Sequence, residues 1–185
     1  MRRRKLKLIN LDKFFSNKGV SFTEVLVALF IISVSIVTFL TLASTQLRIL
    51  KLSKDKFLAH ALSLEGLELV EAYRNSQINQ TNWLGSLSSK GDYCLHFDNG
   101  NFYIRRINDC SDGGRLYLVG NRYLHTGRDI EKTLFKRIIH LEDALDPENP
   151  NLSDSGFVKV ISIVKLPNEE IKLETILTKW HPLFQ

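Results

Sequence analysis

The side chains of this sequence that could do chemistry fall into a few groups, and their spacing decides what kind. Glu24 stands at the head of an uncharged run of 23 residues, Val25 to Leu47, reading VLVALFIISVSIVTFLTLASTQL. A carboxylate there is costly in lipid unless paired, and a helix N-terminus favours it by about 0.3–1 kcal/mol when exposed. It reads either as a plain N-terminal helix residue or as one half of an ion pair. Cys94 and Cys110 are the only cysteines; there is no CxxC, and two thiols alone do not make a structural zinc site. His60, His96, His125, His140 and His181 contain no pair at metal-binding spacing, although Cys94 and His96 would share one strand face. Asp109-Cys110-Ser111-Asp112-Gly113-Gly114 is acidic and glycine-rich, as calcium loops can be, but departs from the EF-hand spacing. Arg105, Arg106, Arg115, Arg122 and Arg128 are interleaved with Tyr103, Tyr117 and Tyr123. Such a mixture can hold nucleic acid, and it also lines ordinary exposed strands. No GxSxG, Walker loop or HExxH is present. The expectation is a protein without catalysis, with no catalytic residue, metal or cofactor assigned.

The elements around these residues define the class. The chain has 185 residues, 44% hydrophobic and 24% charged, which suits one ordinary domain and excludes a disordered or collagen-like chain. Its net charge of +5 is unevenly placed. Residues 1–19 carry Arg2, Arg3, Arg4, Lys5, Lys7, Lys13 and Lys18 against Asp12, a net +6, leaving −1 for the rest. A basic block directly before a long apolar run marks a cytoplasmic flank. As a helix the run would be roughly 35 Å long, enough to cross a hydrocarbon core of about 30 Å. Ser33, Ser35, Thr38, Thr41, Ser44 and Thr45 can return their hydroxyls to the helix backbone. A buried soluble helix would show a polar face, and this run shows none before Gln46. A cleavable secretory signal would be shorter and end in an A-x-A-like site, which Ala43 and Thr45 match poorly.

Lys18-Gly19-Val20-Ser21-Phe22-Thr23-Glu24-Val25-Leu26-Val27-Ala28-Leu29 resembles the prepilin cleavage motif of type IV pilins and type II secretion pseudopilins. The shared elements are a basic leader ending in Gly, an apolar helix directly after it, and Glu at the fifth mature position. EVLVAL, and further on LSLEGLELVEAYRNS, resemble minor pilins and minor pseudopilins of the PilV and GspI types. The resemblance implies cleavage after Gly19 by a prepilin peptidase, N-methylation of Val20 as the new N-terminus, and pairing of Glu24 with a neighbouring subunit's N-terminal amine. It also implies a place in the bacterial inner membrane with the head outside the cytoplasm, and then in a filament. The implied partners are other pilins or pseudopilins, an inner-membrane assembly platform and, before assembly, membrane lipid. Two departures stand out: Val20 replaces the usual Phe or Met at the first mature position, and no Gly or Pro interrupts residues 20–65. The implied function is that of a structural minor subunit of a pilus-like filament. The alternatives are a minor pseudopilin of a secretion system, or a DNA-uptake or adhesion subunit whose head binds a ligand.

Four segments follow: a removed leader at 1–19, a membrane or filament-core helix at 20–47, its amphipathic continuation at 48–76, and a head at 77–185. Leu58, Leu62, Gly66, Leu69 and Tyr73 fall on one helical face, with Phe57, Ala61 and Leu64 widening the stripe. Glu65, Glu68, Glu71 and Arg74 read as a solvated flank. Strands are expected at Tyr93–Phe97, Phe102–Asn108, Arg115–Val119, Leu134–Leu141, Phe157–Leu166 and Ile171–Lys179, with a hairpin turn at Asp98–Asn101. Asp146–Pro150 reads as an exposed linker. FKRIIHLED, GFVKVISIVKL and IKLETILTKW also resemble the terminal strands of minor pilins. The expected fold is α+β, a long N-terminal helix packed on a C-terminal antiparallel sheet. In an oxidising compartment Cys94 and Cys110 could close a disulfide worth about 3 kcal/mol for a loop of this size. Otherwise they are separate thiols in the sheet core.

Overall fold

The computed structural model describes residues 21–77, 82–128, 131–152 and 155–179. Helix α1 spans Phe22–Ser76. It is followed by seven strands: β1 (Gly91–Asp98), β2 (Asn101–Arg106), β3 (Arg115–Val119), β4 (Arg122–Leu124), β5 (Lys132–Asp143), β6 (Phe157–Lys165) and β7 (Glu170–Thr178). All pair antiparallel in one sheet, so the fold is α+β, as the sequence predicts. The chain divides into two compact units at Lys51/Leu52.

In the first unit the helix is apolar on every side. Its best window has a mean hydropathy of 2.8, long and apolar enough to cross a membrane. Phe22, Phe30, Val37, Phe39 and Leu47 are among many exposed apolar side chains. All six hydroxyls in the run turn back to carbonyls: Ser33 to Leu29, Ser35 to Ile31, Thr38 to Val34, and Thr41 to Val37, at 2.6–2.8 Å. Ser44 and Thr45 both donate to the Thr41 carbonyl at 2.9 Å. Each of these hydroxyls is thereby satisfied within its own helix, as an apolar solvent requires.

In the second unit, residues 52–76 of α1 pack on the sheet. The buried face is Ala59, Leu62, Ser63, Gly66, Val70, Tyr73 and Arg74. This corrects the expected stripe: Leu58 and Leu69 are half-buried, while Phe57, Ala61 and Leu64 face outward. The stripe is rotated toward the small residues because the sheet approaches the helix closely. The Ser63 hydroxyl donates to the Ser162 carbonyl at 2.8 Å. A Cβ on Gly66 would stand 2.4 Å from Ser162 Oγ and 2.9 Å from Ile139 Cδ1.

β5 organises the sheet. One edge carries β6 through residues 136–143, and β7 follows β6. The other edge is shared: β1 pairs only at residues 139–141, and β3 pairs at Lys132 and Lys136. Two hairpins therefore dock side by side on β5, β1–β2 and β3–β4. Both turn through two residues of positive φ, Asn99-Gly100 (48°, 83°) and Gly120-Asn121 (53°, 70°), which match the right-handed strand twist. Strand β4 was not expected from the sequence, although its Gly120-Asn121 turn was visible. The expected second strand ends early: Ile107–Asp109 is a 3-10 turn.

Inward residues alternate along β5 (Phe135, Arg137, Ile139, Leu141, Asp143) and β6 (Val158, Val160, Ser162, Val164). Two apolar clusters result, one around Leu62, Leu116, Phe135, Val164 and Ile171, the other around Val70, Trp83, Leu95, Ile139 and Val160. Between them lie the inward polar side chains Ser63 of α1, Arg137 of β5 and Ser162 of β6, with Gly66 of α1 facing both Arg137 and Ser162. The expected linker at Asp146–Pro150 is exposed at Leu145–Glu148, but it is anchored at both ends. Asp143 accepts from the Leu145 amide at 2.9 Å and the Asn149 side chain at 2.9 Å, and Leu152 enters the core.

Candidate functional site

Two places hold the residues singled out by the sequence. The first is the start of α1. Gly19 and Val20 lie outside the described residues. From Ser21 onward the helix N-terminus is ordered by short-range bonds: the amides of Glu24 and Val25 donate to the Ser21 carbonyl at 2.9 and 3.3 Å. The hydroxyls of Ser21 and Thr23 stand 2.8 Å apart. Glu24 occupies the first turn, where the helix dipole favours its charge. It lies beside Val27, Ala28 and Ile31 on a shallow exposed hollow of the helix surface. Among the described residues it makes no ion pair. This carboxylate at the head of an apolar helix can accept one cation from outside its own chain.

The second place is a small cavity in the head between β1, β2 and the segment after β4. Cys94 and Cys110 are joined as a disulfide, with Cα atoms 6.6 Å apart. The bridge, His96, Tyr103, Arg105, Asp109, His125 and Thr126 line a space of about 30 Å³. His96 reaches it from β1, two residues beyond Cys94, and is stacked on Tyr103 with ring centres 4.8 Å apart. His125 follows β4 directly and is 4% exposed. Burial, then the charges of Arg137 and His96, hold the His125 imidazole down to about 3. Burial and Arg137 lower His96 in the same way. Both rings are therefore neutral at physiological pH. Neither nitrogen of His125 has a hydrogen-bond partner.

The basic–aromatic stretch is largely tied up within the head. Arg106 lies over the Tyr93 ring, 4.5 Å from its centre, and donates to the Lys90 carbonyl at 2.8 Å. Arg115 pairs with Asp112 and donates to the Thr133 carbonyl. Arg122 reaches Asp98 at 3.5 Å and Arg128 reaches Glu131 at 3.1 Å. Tyr117 is buried. Asp112, in the acidic glycine-rich loop, is held below the usual carboxylate range by its hydrogen bond from Arg115.

The solvated flank expected on α1 is half wrong. Glu68 and Glu71 are exposed, but Arg74 is buried and donates to the Asn75 side chain at 2.9 Å. Glu65 pairs at 3.0 Å with Arg137, whose side chain is 0% exposed. Arg137 also donates to the carbonyls of Leu62 at 3.3 Å and Leu95 at 3.0 Å. Burial lowers the pKa of its guanidinium and the Glu65 carboxylate pushes back. Arg137 is the residue that the sequence reading missed. Its signal was present: an arginine on the inward phase of an alternating strand, with a serine on the inward phase of the next strand two residues out of register.

Compared with protein-family models, curated proteins and solved structures, the chain finds no match in any of the three.

Proposed function

We propose that this chain is a minor subunit of a type IV pilus-like filament, made as a membrane-inserted prepilin. On this reading residues 1–19 are a cytoplasmic leader, a prepilin peptidase cuts after Gly19, and Val20 is methylated. Residues 20–47 hold the subunit in the inner membrane and then pack in the filament core. The head is carried outside the cytoplasm as a structural, non-catalytic domain. The observation that carries the reading is the start of α1. An all-round apolar helix begins three residues after the Gly19 motif, with the carboxylate of Glu24 in its first turn. Pairing of that carboxylate with a neighbour's N-terminal amine selects register in a dry core more than it adds net stability.

The test is intact mass with N-terminal sequencing of the full chain, expressed with and without a prepilin peptidase. A peptidase-dependent start at Val20 is expected, as is loss of incorporation into filaments for Glu24→Gln while membrane insertion persists. A start at Met1 in both cases would remove the processing mechanism.

A further inference from the structure

The cavity beside the disulfide collects more ligand chemistry than a structural bridge requires. Two cysteines and two histidines converge on a space of about 30 Å³, room for a water or a single ion. The four come from β1 (Cys94, His96), the turn after β2 (Cys110) and the residue that follows β4 (His125). The ring centres of His96 and His125 are 5.9 Å apart. Two imidazoles on one tetrahedral-to-open metal, each with a bond of about 2.0–2.1 Å, place their centres roughly 5–6 Å apart. His96 is held in its plane by Tyr103. The carbonyls of Gly114 and Arg115 lie beside His125, the kind of neighbour that orients a metal-binding ring, while neither of its nitrogens has a partner within the protein. A buried imidazole with a nitrogen not committed to a hydrogen bond is free to meet an ion in the cavity. With the bridge closed, no group of three or more His, Cys, Asp or Glu able to hold a metal stands among the described residues.

We propose that reduction of the Cys94–Cys110 bridge converts this cavity into a two-cysteine, two-histidine site for one zinc ion, held by Cys94, Cys110, His96 and His125. The steps balance as follows. A phosphine or dithiol reductant supplies two electrons and the S–S bond breaks with uptake of two protons, giving two thiols. Zinc then displaces those two protons and takes two thiolates and two neutral imidazoles. The sulfurs need to part from about 2 Å in a bridge to about 3.8 Å on a tetrahedral zinc, roughly 1 Å each. Side-chain rotation at the two cysteines supplies that movement. Arg105 lines the same cavity, and its positive charge favours thiolate over thiol. Two thiolates then neutralise the charge of the ion.

The test uses the full chain in detergent micelles under anaerobic conditions, with zinc chloride as the only added metal. About one zinc per chain should stay with the phosphine-reduced protein through gel filtration, at least roughly tenfold more than with the bridged protein. Cobalt in place of zinc should give a thiolate-to-metal absorption band in the reduced protein only. Zinc should raise the unfolding temperature of the reduced chain and leave that of the bridged chain unchanged. His96→Ala and His125→Ala should each lower retained zinc at least about tenfold. The proposal is overturned if the reduced chain retains no zinc, whether it is folded or has unfolded beyond rescue by the metal. It is equally overturned if bridged and reduced chains retain zinc alike, if the cobalt spectrum lacks the thiolate band, or if both histidine variants retain zinc normally.

Discussion

The buried Arg137 gives a prediction that runs against the usual guide of exposure. Its side chain is fully covered, whereas that of its partner Glu65 is 42% exposed, so burial alone would rank Arg137 as the more damaging residue to replace. The electrostatics rank them the other way. Glu65→Ala leaves a guanidinium in the core with two carbonyls and no counter-charge. Removing one partner of a buried pair costs about 3–5 kcal/mol, and the half-exposed carboxylate reduces that to roughly 1.5–2.5 kcal/mol. Arg137→Met removes the charge itself. It strands the Leu95 carbonyl, which lies beyond the last β1–β5 pair at Tyr93, at a cost of about 1–3 kcal/mol. Eliminating the desolvated ion offsets that by about 1–4 kcal/mol, so the two terms cancel near the middle of their ranges. The double variant should match Arg137→Met, because Glu65 then simply faces water. Thermal unfolding of the full chain in micelles, followed by tryptophan fluorescence, reads this out, since Trp83 is buried in the head. Glu65→Ala should lower the head's unfolding temperature by roughly 3–10 °C and Arg137→Met by much less. The reasoning fails if Arg137→Met is the worse of the two by more than about 1 kcal/mol, or if the two effects add.

Three further outcomes follow from the same structure. Gly66→Val should destabilise the head by about 1–3 kcal/mol through overpacking against Ser162 and Ile139, whereas Ser162→Ala should be neutral or mildly stabilising, because the buried Ser162 hydroxyl has no partner; denaturant midpoints decide both. Reducing the bridge in the absence of metal should cost about 3 kcal/mol, as the crosslinked residues are 16 apart, and Cys94→Ser should reproduce the loss without reductant. Asp143 is held down to about 2, chiefly by the Leu145 amide, from an ordinary value of 3.8. Its contribution is therefore complete above pH about 4 and is lost as pH falls through about 2; in Asp143→Asn the acid limb of a stability–pH curve should flatten in that window.

Much of the fold was legible because it rests on periodicity. The alternation in residues 157–166 and 171–179 located β6 and β7 to within one residue at each end, and the Asn99-Gly100 turn announced the first hairpin. What was not legible depends on partners distant in sequence. An apolar stripe on α1 cannot say that the sheet will press on Ser63 and Gly66 and leave Phe57 and Leu64 outside; only the small side chains facing them on β6 decide that. Nor can a charged residue on a helix flank announce a buried arginine 72 positions later, so Glu65 was read as solvated. β4, three residues long, is too short to carry a pattern of its own. At the helix start the residues and their spacing were plain, and the geometry adds the ordered first turn around Glu24. The convergence of His125 on the Cys94 and His96 strand was invisible, because it comes from two hairpins sharing one edge of β5.

That shared edge also sets an order of events. A chain emerges from synthesis N-terminus first, and β1 to β4 appear before the strand that both hairpins need. Until residues 132–143 arrive, each hairpin is a two-stranded piece with an open edge and little independent stability. The β5–β6–β7 meander, by contrast, pairs only strands that follow one another in the chain and needs no earlier strand to form. The early half of the head thus waits on the late half. During that wait the cysteines are held near each other only by the β1–β2 hairpin and the short turn after it, so the time at which β5 arrives governs when the His125 hairpin is fixed against the same pair of sulfurs.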